Sequence, residues 1–337
     1  MSANGKPIAV LVCPGRGSYG KDELGSIARN LRPGPVAEAL ARADAVRRAQ
    51  GLPTVSELDG APAFRPSLHL QGQNAAELIY FATMAQAEML PERYRIAGVI
   101  GNSLGWYTAL AAAGCVSAAD GWLLVTTMAR LQTAAVGGQI LTTTVDDDWR
   151  PDAERSAAVD ATLAEVNALG DDHFVAPSIR LGGHAVLGGT ERGVTEMLRH
   201  LPKIVVGERE FPFRLAGHGP FHTRLCTEVA DMARGELDDL PIGMPKTHLI
   251  DGFGRMHSPW SADPQALLAY TVGPQVTETF DFTSSVRVAL RELNPDVMLC
   301  AAPGNSLRAP VGHVVVREGY RGVRDRQTLF DAGLVVV

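Results

Sequence analysis

Gly101-Asn102-Ser103-Leu104-Gly105 follows the apolar run Ile96-Ala97-Gly98-Val99-Ile100 and leads into Trp106-Tyr107-Thr108-Ala109-Leu110-Ala111-Ala112-Ala113. The first run reads as a buried strand and the last as a helix, with the pentapeptide as a sharp turn between them. A serine at the tip of such a turn needs glycines two positions to either side, because the backbone is strained and strand and helix approach closely. The turn also leaves the amide of Leu104 at a helix N-terminus, free to receive a developing oxyanion. Ser103 is therefore the candidate nucleophile. A glycine-rich turn whose serine merely caps the next helix uses the same letters, and the flanking strand and helix are what favour the nucleophile elbow.

Composition bounds the setting of that turn. A chain of 337 residues with 46% hydrophobic content supports one large domain carrying a smaller one. The net charge of -6 and a pI near 5.9 come without a basic block, which argues against nucleic-acid and membrane-surface partners. Cys13, Cys115, Cys226 and Cys300 are scattered with no C-x-x-C pair, and no H-E-x-x-H spacing occurs. Neither a metal site nor a disulfide framework is expected, and a reducing cytoplasm fits best. Ile8-Ala9-Val10-Leu11-Val12-Cys13 is too short for a signal segment and reads as a buried first strand. The uncharged stretch from Ala97 to Ala119 contains Asn102, Ser103, Thr108 and four glycines, and reads as core and not as a membrane span.

Along the chain, the first strand runs into the turn Pro14-Gly15-Arg16-Gly17-Ser18-Tyr19-Gly20, and a helix is predicted over roughly 74–90. Strands and helices alternate up to the elbow, an α/β pattern with a largely parallel sheet. From Gln139 the texture changes. Strand-like Ile140 to Val145, helix-like Ala153 to Leu169, strands near Phe174 to Ile179 and Ala185 to Leu187, helix Gly193 to Leu201 and strand Glu208 to Phe213 follow in turn. That β-α-β-β-α-β order is the ferredoxin-like unit. The expected organisation is a large α/β-hydrolase-like domain over residues 1–138 and 216–337, with a small ferredoxin-like domain inserted at 139–215.

A serine nucleophile needs a base. His218 and His222, in Gly217-His218-Gly219-Pro220-Phe221-His222-Thr223 just after the proposed return to the large domain, are the candidates, and position alone does not separate them. Gly15-x-Gly17-x-x-Gly20 formally satisfies a dinucleotide-binding fingerprint, but Pro14 speaks against that reading.

Several separated segments together resemble the malonyl-CoA:acyl carrier protein transacylase family and the related acyltransferase domains of polyketide synthases. Cys13-Pro14-Gly15-Arg16-Gly17-Ser18 resembles the family's F-P-G-Q-G-S loop, and Gly101 to Gly114 its G-H-S-L-G-E-Y-x-A-L-x-x-A-G elbow. Phe221-His222-Thr223-Arg224-Leu225 resembles its A-F-H-S-x-L segment, which selects His222 over His218 as the catalytic histidine. Gln275, seven residues before Phe282-Thr283-Ser284-Ser285-Val286, resembles the glutamine upstream of P-V-x-W-T-x-S-V, and Ala302 to Leu307 the G-P-G-x-x-L turn. The resemblance implies the two-domain fold read above, and a ping-pong acyl transfer in fatty acid or polyketide synthesis. Ser103, deprotonated by His222, would take the acyl group from a CoA thioester and pass it to the phosphopantetheine thiol of an acyl carrier protein, with no bound cofactor. The amides of Arg16 and Leu104 would hold the oxyanion, and a backbone carbonyl near Gln275 would orient His222.

The departures concern the acyl pocket. Counting without gaps from Ser103, the arginine that pairs with the malonyl carboxylate in the family falls on Met128. Arg130, two residues on, would point about 200° away on a helix. The family's oxyanion-loop glutamine is Arg16, its elbow histidine Asn102, its elbow glutamate Trp106, and the asparagine and glutamine of N-x-P-G-Q appear as Arg180 and His184. Phe221 stands where a bulky residue favours acyl groups without an α-branch. The pattern predicts a non-carboxylated acyl group and weak malonyl binding. The alternatives are an acyl-thioester hydrolase on the same scaffold, a malonyl transferase whose carboxylate-binding cation has moved to Arg16 or Arg180, and a non-catalytic docking protein.

Overall fold

Strand Ile8–Cys13 lies inside a six-stranded sheet, between Arg95–Gly101 on one side and Val297–Cys300 on the other, all running parallel. His248–Ile250 and Met256–His257 extend the sheet beyond Arg95–Gly101, and Val335–Val336 closes the other edge. The computed structural model describes residues 5–207 and 209–336, and counts of elements refer to these. Ala9, Val10, Leu11 and Val12 are all buried, as a parallel strand covered on both faces requires. Helix Gly105–Ala112 packs on strands Ile8–Cys13 and Arg95–Gly101, and helix Phe282–Leu293 packs on Arg95–Gly101. The uncharged stretch 97–119 thus divides into a strand, a turn and a helix, and no described helix is long and apolar enough to cross a membrane.

The second sheet is the ferredoxin-like unit. Gly138–Thr143, helix Ala153–Asn167, Val175–Leu181, His184–Gly189, helix Glu191–His200 and Phe213–Arg214 follow one another, and the four strands pair antiparallel. One face carries Ile140, Val175 and Leu187, packed with Val159, Val166, Val194 and Met197 of the two helices. An inserted residue near Ser178 shifts the register, since Pro177 pairs with Leu187 and Ile179 with Val186. Beyond it Ile179 and Leu181 join Leu141 and Val186 on the opposite face. That face is therefore apolar too, and it looks onto a cleft.

Two details differ from the reading of the sequence. Glu208 lies outside the described residues, and Arg209–Phe211 is not part of the small sheet: it forms a separate hairpin with Ile204–Val206. Pro212 has no N–H to donate and separates that hairpin from the short fourth strand Phe213–Arg214. The small sheet also takes a fifth strand, Phe280–Asp281, paired parallel with Ile179 and Arg180.

Candidate active site

The elbow is as tight as its glycines suggest. A Cβ on Gly101 would stand 2.1 Å from the carbonyl oxygen of Gly105, and one on Gly105 would stand 2.2 Å from that of Cys13. Neither contact has a flexible side chain that could yield, so strand and helix meet only because both positions lack a side chain. Between them Ser103 adopts φ of 55°, a left-handed conformation for a non-glycine residue.

His222 reaches this serine from a segment 119 residues further along the chain. Its Nδ1 lies 2.6 Å from the carbonyl oxygen of Gln275, and its Nε2 lies 2.7 Å from Ser103 Oγ. A carbonyl only accepts, so Nδ1 carries the proton, and Nε2 is left with a lone pair that accepts the Ser103 hydroxyl. Burial lowers the His222 pKa to about 4, against a smaller opposing effect of the Gln275 hydrogen bond, and the imidazole is neutral at neutral pH. Gln275 holds the serine as well: its Nε2 donates to the Ser103 carbonyl at 3.2 Å, and its Oε1 accepts from the Tyr107 hydroxyl at 2.8 Å.

Ser103 opens on a cleft of about 1510 Å³ between the two sheets. The loops at 15–23 and 302–310 form one wall, and the apolar face of the small sheet, continued by Phe213 and Leu215, forms the other. The backbone N–H groups of Arg16 and Leu104 have no hydrogen-bond partner among the described residues, the condition an oxyanion site needs. Asn102, Phe221 and His184 also line the cleft, and Asn102 Oδ1 is buried without a partner. His218 lines it as well. Its Nδ1 lies 3.0 Å from Gln139 Oε1, and burial, with Arg16 and His222 nearby, lowers its pKa to about 3.

Two arginines line this cleft, the exposed Arg209 and the more buried Arg16. The Arg16 guanidinium stacks 5.1 Å above the Phe221 ring, and Nη2 donates to Gln132 Oε1 at 3.0 Å. Nε is buried with no partner, and no carboxylate pairs with this side chain among the described residues. Loss of water lowers its pKa to about 10, which still leaves it charged at neutral pH.

Met128, Trp106 and Arg180, expected in the pocket, do not line the cleft. Met128 is fully buried in the large core. Trp106 is fully buried too, with its indole N–H on Thr271 Oγ1 at 3.0 Å and its ring edge-on to Tyr270. Arg180 follows Ile179 on the strand, so it projects to the other side, where it is exposed and meets Asp281 at 3.4 Å. Tyr107 was not singled out from the sequence, although it lies only four residues beyond Ser103, in the first turn of the helix that follows the elbow.

The structure is an α/β domain that carries a ferredoxin-like unit, with Ser103 on a strand-to-helix elbow and the buried His222 hydrogen-bonded to it. No protein-family profile and no curated protein matches the sequence. Solved structures do match. The acyl-carrier-protein S-malonyltransferase from Burkholderia pseudomallei 1710b aligns with 22% identity over 96% of this chain and 98% of its own, at a TM-score of 0.73. The malonyl-CoA:ACP transacylase from Synechocystis sp. PCC 6803 aligns with 19% identity over 91% and 94%, at 0.72. A type II polyketide synthase malonyl-transacylase, solved in complex with its acyl-carrier protein, aligns with 20% identity over 97% and 99%, at 0.73. At these identities the likeness is one of fold, and it spans nearly the whole chain.

Proposed function

We propose that this protein is an S-acyltransferase that moves an acyl group from a CoA thioester, through an ester on Ser103, to the phosphopantetheine thiol of an acyl carrier protein. The observation that carries the reading is the relay Ser103 Oγ, His222 Nε2, His222 Nδ1, Gln275 carbonyl at 2.7 and 2.6 Å, opening on the large cleft. His222 takes the Ser103 proton as Oγ attacks the thioester carbonyl, and the amides of Arg16 and Leu104 receive the oxyanion. The C–S bond breaks, and the CoA sulfur leaves with the proton held by His222. The carrier thiol then gives its proton to His222 and attacks the ester, and Ser103 leaves with that proton. Donor and product are both thioesters, so the protein's task is orientation and exclusion of water.

Met128 argues for an uncharged acyl group, but the surroundings of Arg16 support a short acyl group with a free carboxylate. A guanidinium largely stripped of water in the cleft that Ser103 lines, with Nε unpaired and no ion pair among the described residues, is a ready counter-ion for a substrate carboxylate. The apolar face formed by Leu141, Ile179, Leu181 and Val186 supports an arm of low polarity lying along the opposite wall. The test is transfer from malonyl-CoA to a carrier protein in its holo and apo forms, read by intact mass. A malonyl gain on the holo form alone is expected. Free malonate without carrier acylation would make the protein a hydrolase instead.

A further inference from the structure

We infer that Tyr107 is a positioning residue for the catalytic pair, acting through the side chain of Gln275; the inference rests on the serine–histidine reading above. Gln275 touches both partners, His222 through its backbone carbonyl and the Ser103 carbonyl through its side-chain Nε2. The amide can serve the serine only in one orientation, because a flipped amide would set Oε1 against the Ser103 carbonyl. Tyr107 fixes that orientation. Its hydroxyl donates to Oε1 at 2.8 Å, in a place where it is 1% exposed and Gln275 is 2% exposed, so no water competes for the bond. Tyr107 lies in the first turn of helix Gly105–Ala112, four residues after Ser103, so the clamp returns to the helix that the nucleophile's turn leads into. The loop Ser103, Gln275, Tyr107 and back along the helix holds a strained serine, at φ of 55°, in register with an imidazole carried on a different segment.

The test reads the reactivity of Ser103 directly, with a fluorophosphonate probe. In that reaction the Ser103 Oγ–P bond forms, the P–F bond breaks, fluoride leaves, and the serine proton passes to His222 and on to solvent. Tyr107→Phe and Gln275→Met, which keeps the backbone carbonyl, are each expected to slow labelling about tenfold, or about 1.4 kcal/mol. The double variant should be no slower than either, because both changes open the same clamp. Tyr80→Phe is the control: it removes another buried hydroxyl, on the Ala118 carbonyl at 2.7 Å, and should label at the wild-type rate. Wild-type labelling by Tyr107→Phe, or losses that multiply in the double variant, would overturn the inference. If the wild type labels but accepts no acyl group from CoA donors, the transferase reading fails and the role of Tyr107 stands. A wild type that does not label refutes both.

Discussion

Replacing Arg16 by glutamine is the sharpest probe of the acyl pocket, because it removes the guanidinium while leaving the backbone amide that would serve the oxyanion. In the structure the guanidinium sits 5.1 Å over Phe221, one nitrogen is spent on Gln132 and Nε is unpaired. A substrate carboxylate would therefore meet a desolvated cation with a free donor. Losing one partner of such a buried charged contact costs roughly 2–5 kcal/mol. With about 1.4 kcal/mol per tenfold, a mid-range loss near 3 kcal/mol corresponds to a fall on the order of a hundredfold in kcat/KM for malonyl-CoA. Acetyl-CoA has no carboxylate to lose, and its kcat/KM should change no more than a few-fold. Arg16→Lys should fall between, since it keeps the charge and loses the planar fork. The assay is transfer to a holo carrier protein with both donors, for wild type and variants. Equal losses for the two donors would refute the reasoning, because Arg16 would then act on something common to both. A wild type that prefers acetyl-CoA would refute it too.

The other expectations concern pH and the elbow. Burial lowers the His222 pKa to about 4, so if this imidazole is the base as proposed, kcat/KM in short pH-jump assays should hold from neutral pH down to about 5 and fall only as pH approaches 4. An acid limb near 6.5 would mean that the imidazole is solvated. Stability should behave differently. His184 and His222, lowered to about 4, and His218 and His313, lowered to about 3, stay neutral in the fold where the unfolded chain takes up protons. Stability thus rises with pH between about 4 and 6.5 and is lost as pH falls through that window, so Tm should drop steadily from pH 7 to pH 5, and a flat Tm would contradict it. Gly105→Ala puts a methyl group 2.2 Å from the Cys13 carbonyl, a backbone clash that should cost about 3 kcal/mol or more and show as a lower denaturant midpoint.

What could be read from the sequence follows from what is local. The elbow is written in five consecutive residues whose glycines have a backbone reason to be there, and the ferredoxin-like order shows in alternating runs. His222 and Gln275 needed the resemblance, because the contacts that join them to Ser103 span 119 and 172 residues and leave no spacing to read. The pocket was harder still. Counting along a helix set Met128 at the family's arginine position but said nothing of its surroundings, which are the large core, and Arg16, on the loop after the first strand, is the arginine that stacks on Phe221 in the cleft. Arg180 was readable in principle, since it alternates with Ile179 and Leu181 and these face the cleft. The hairpin at 204–211 was not, because a two-segment pairing and a continuous strand share one apolar pattern.

The central claim is a covalent acyl group on Ser103. Intact-protein mass spectrometry after brief exposure to malonyl-CoA, beside Ser103→Ala, tests it in one step. The wild type is expected to gain one malonyl mass, to lose it when a holo carrier protein is added, and the variant to gain nothing. An unmodified wild type with every acyl-CoA offered, or an adduct that persists in Ser103→Ala, would contradict the account.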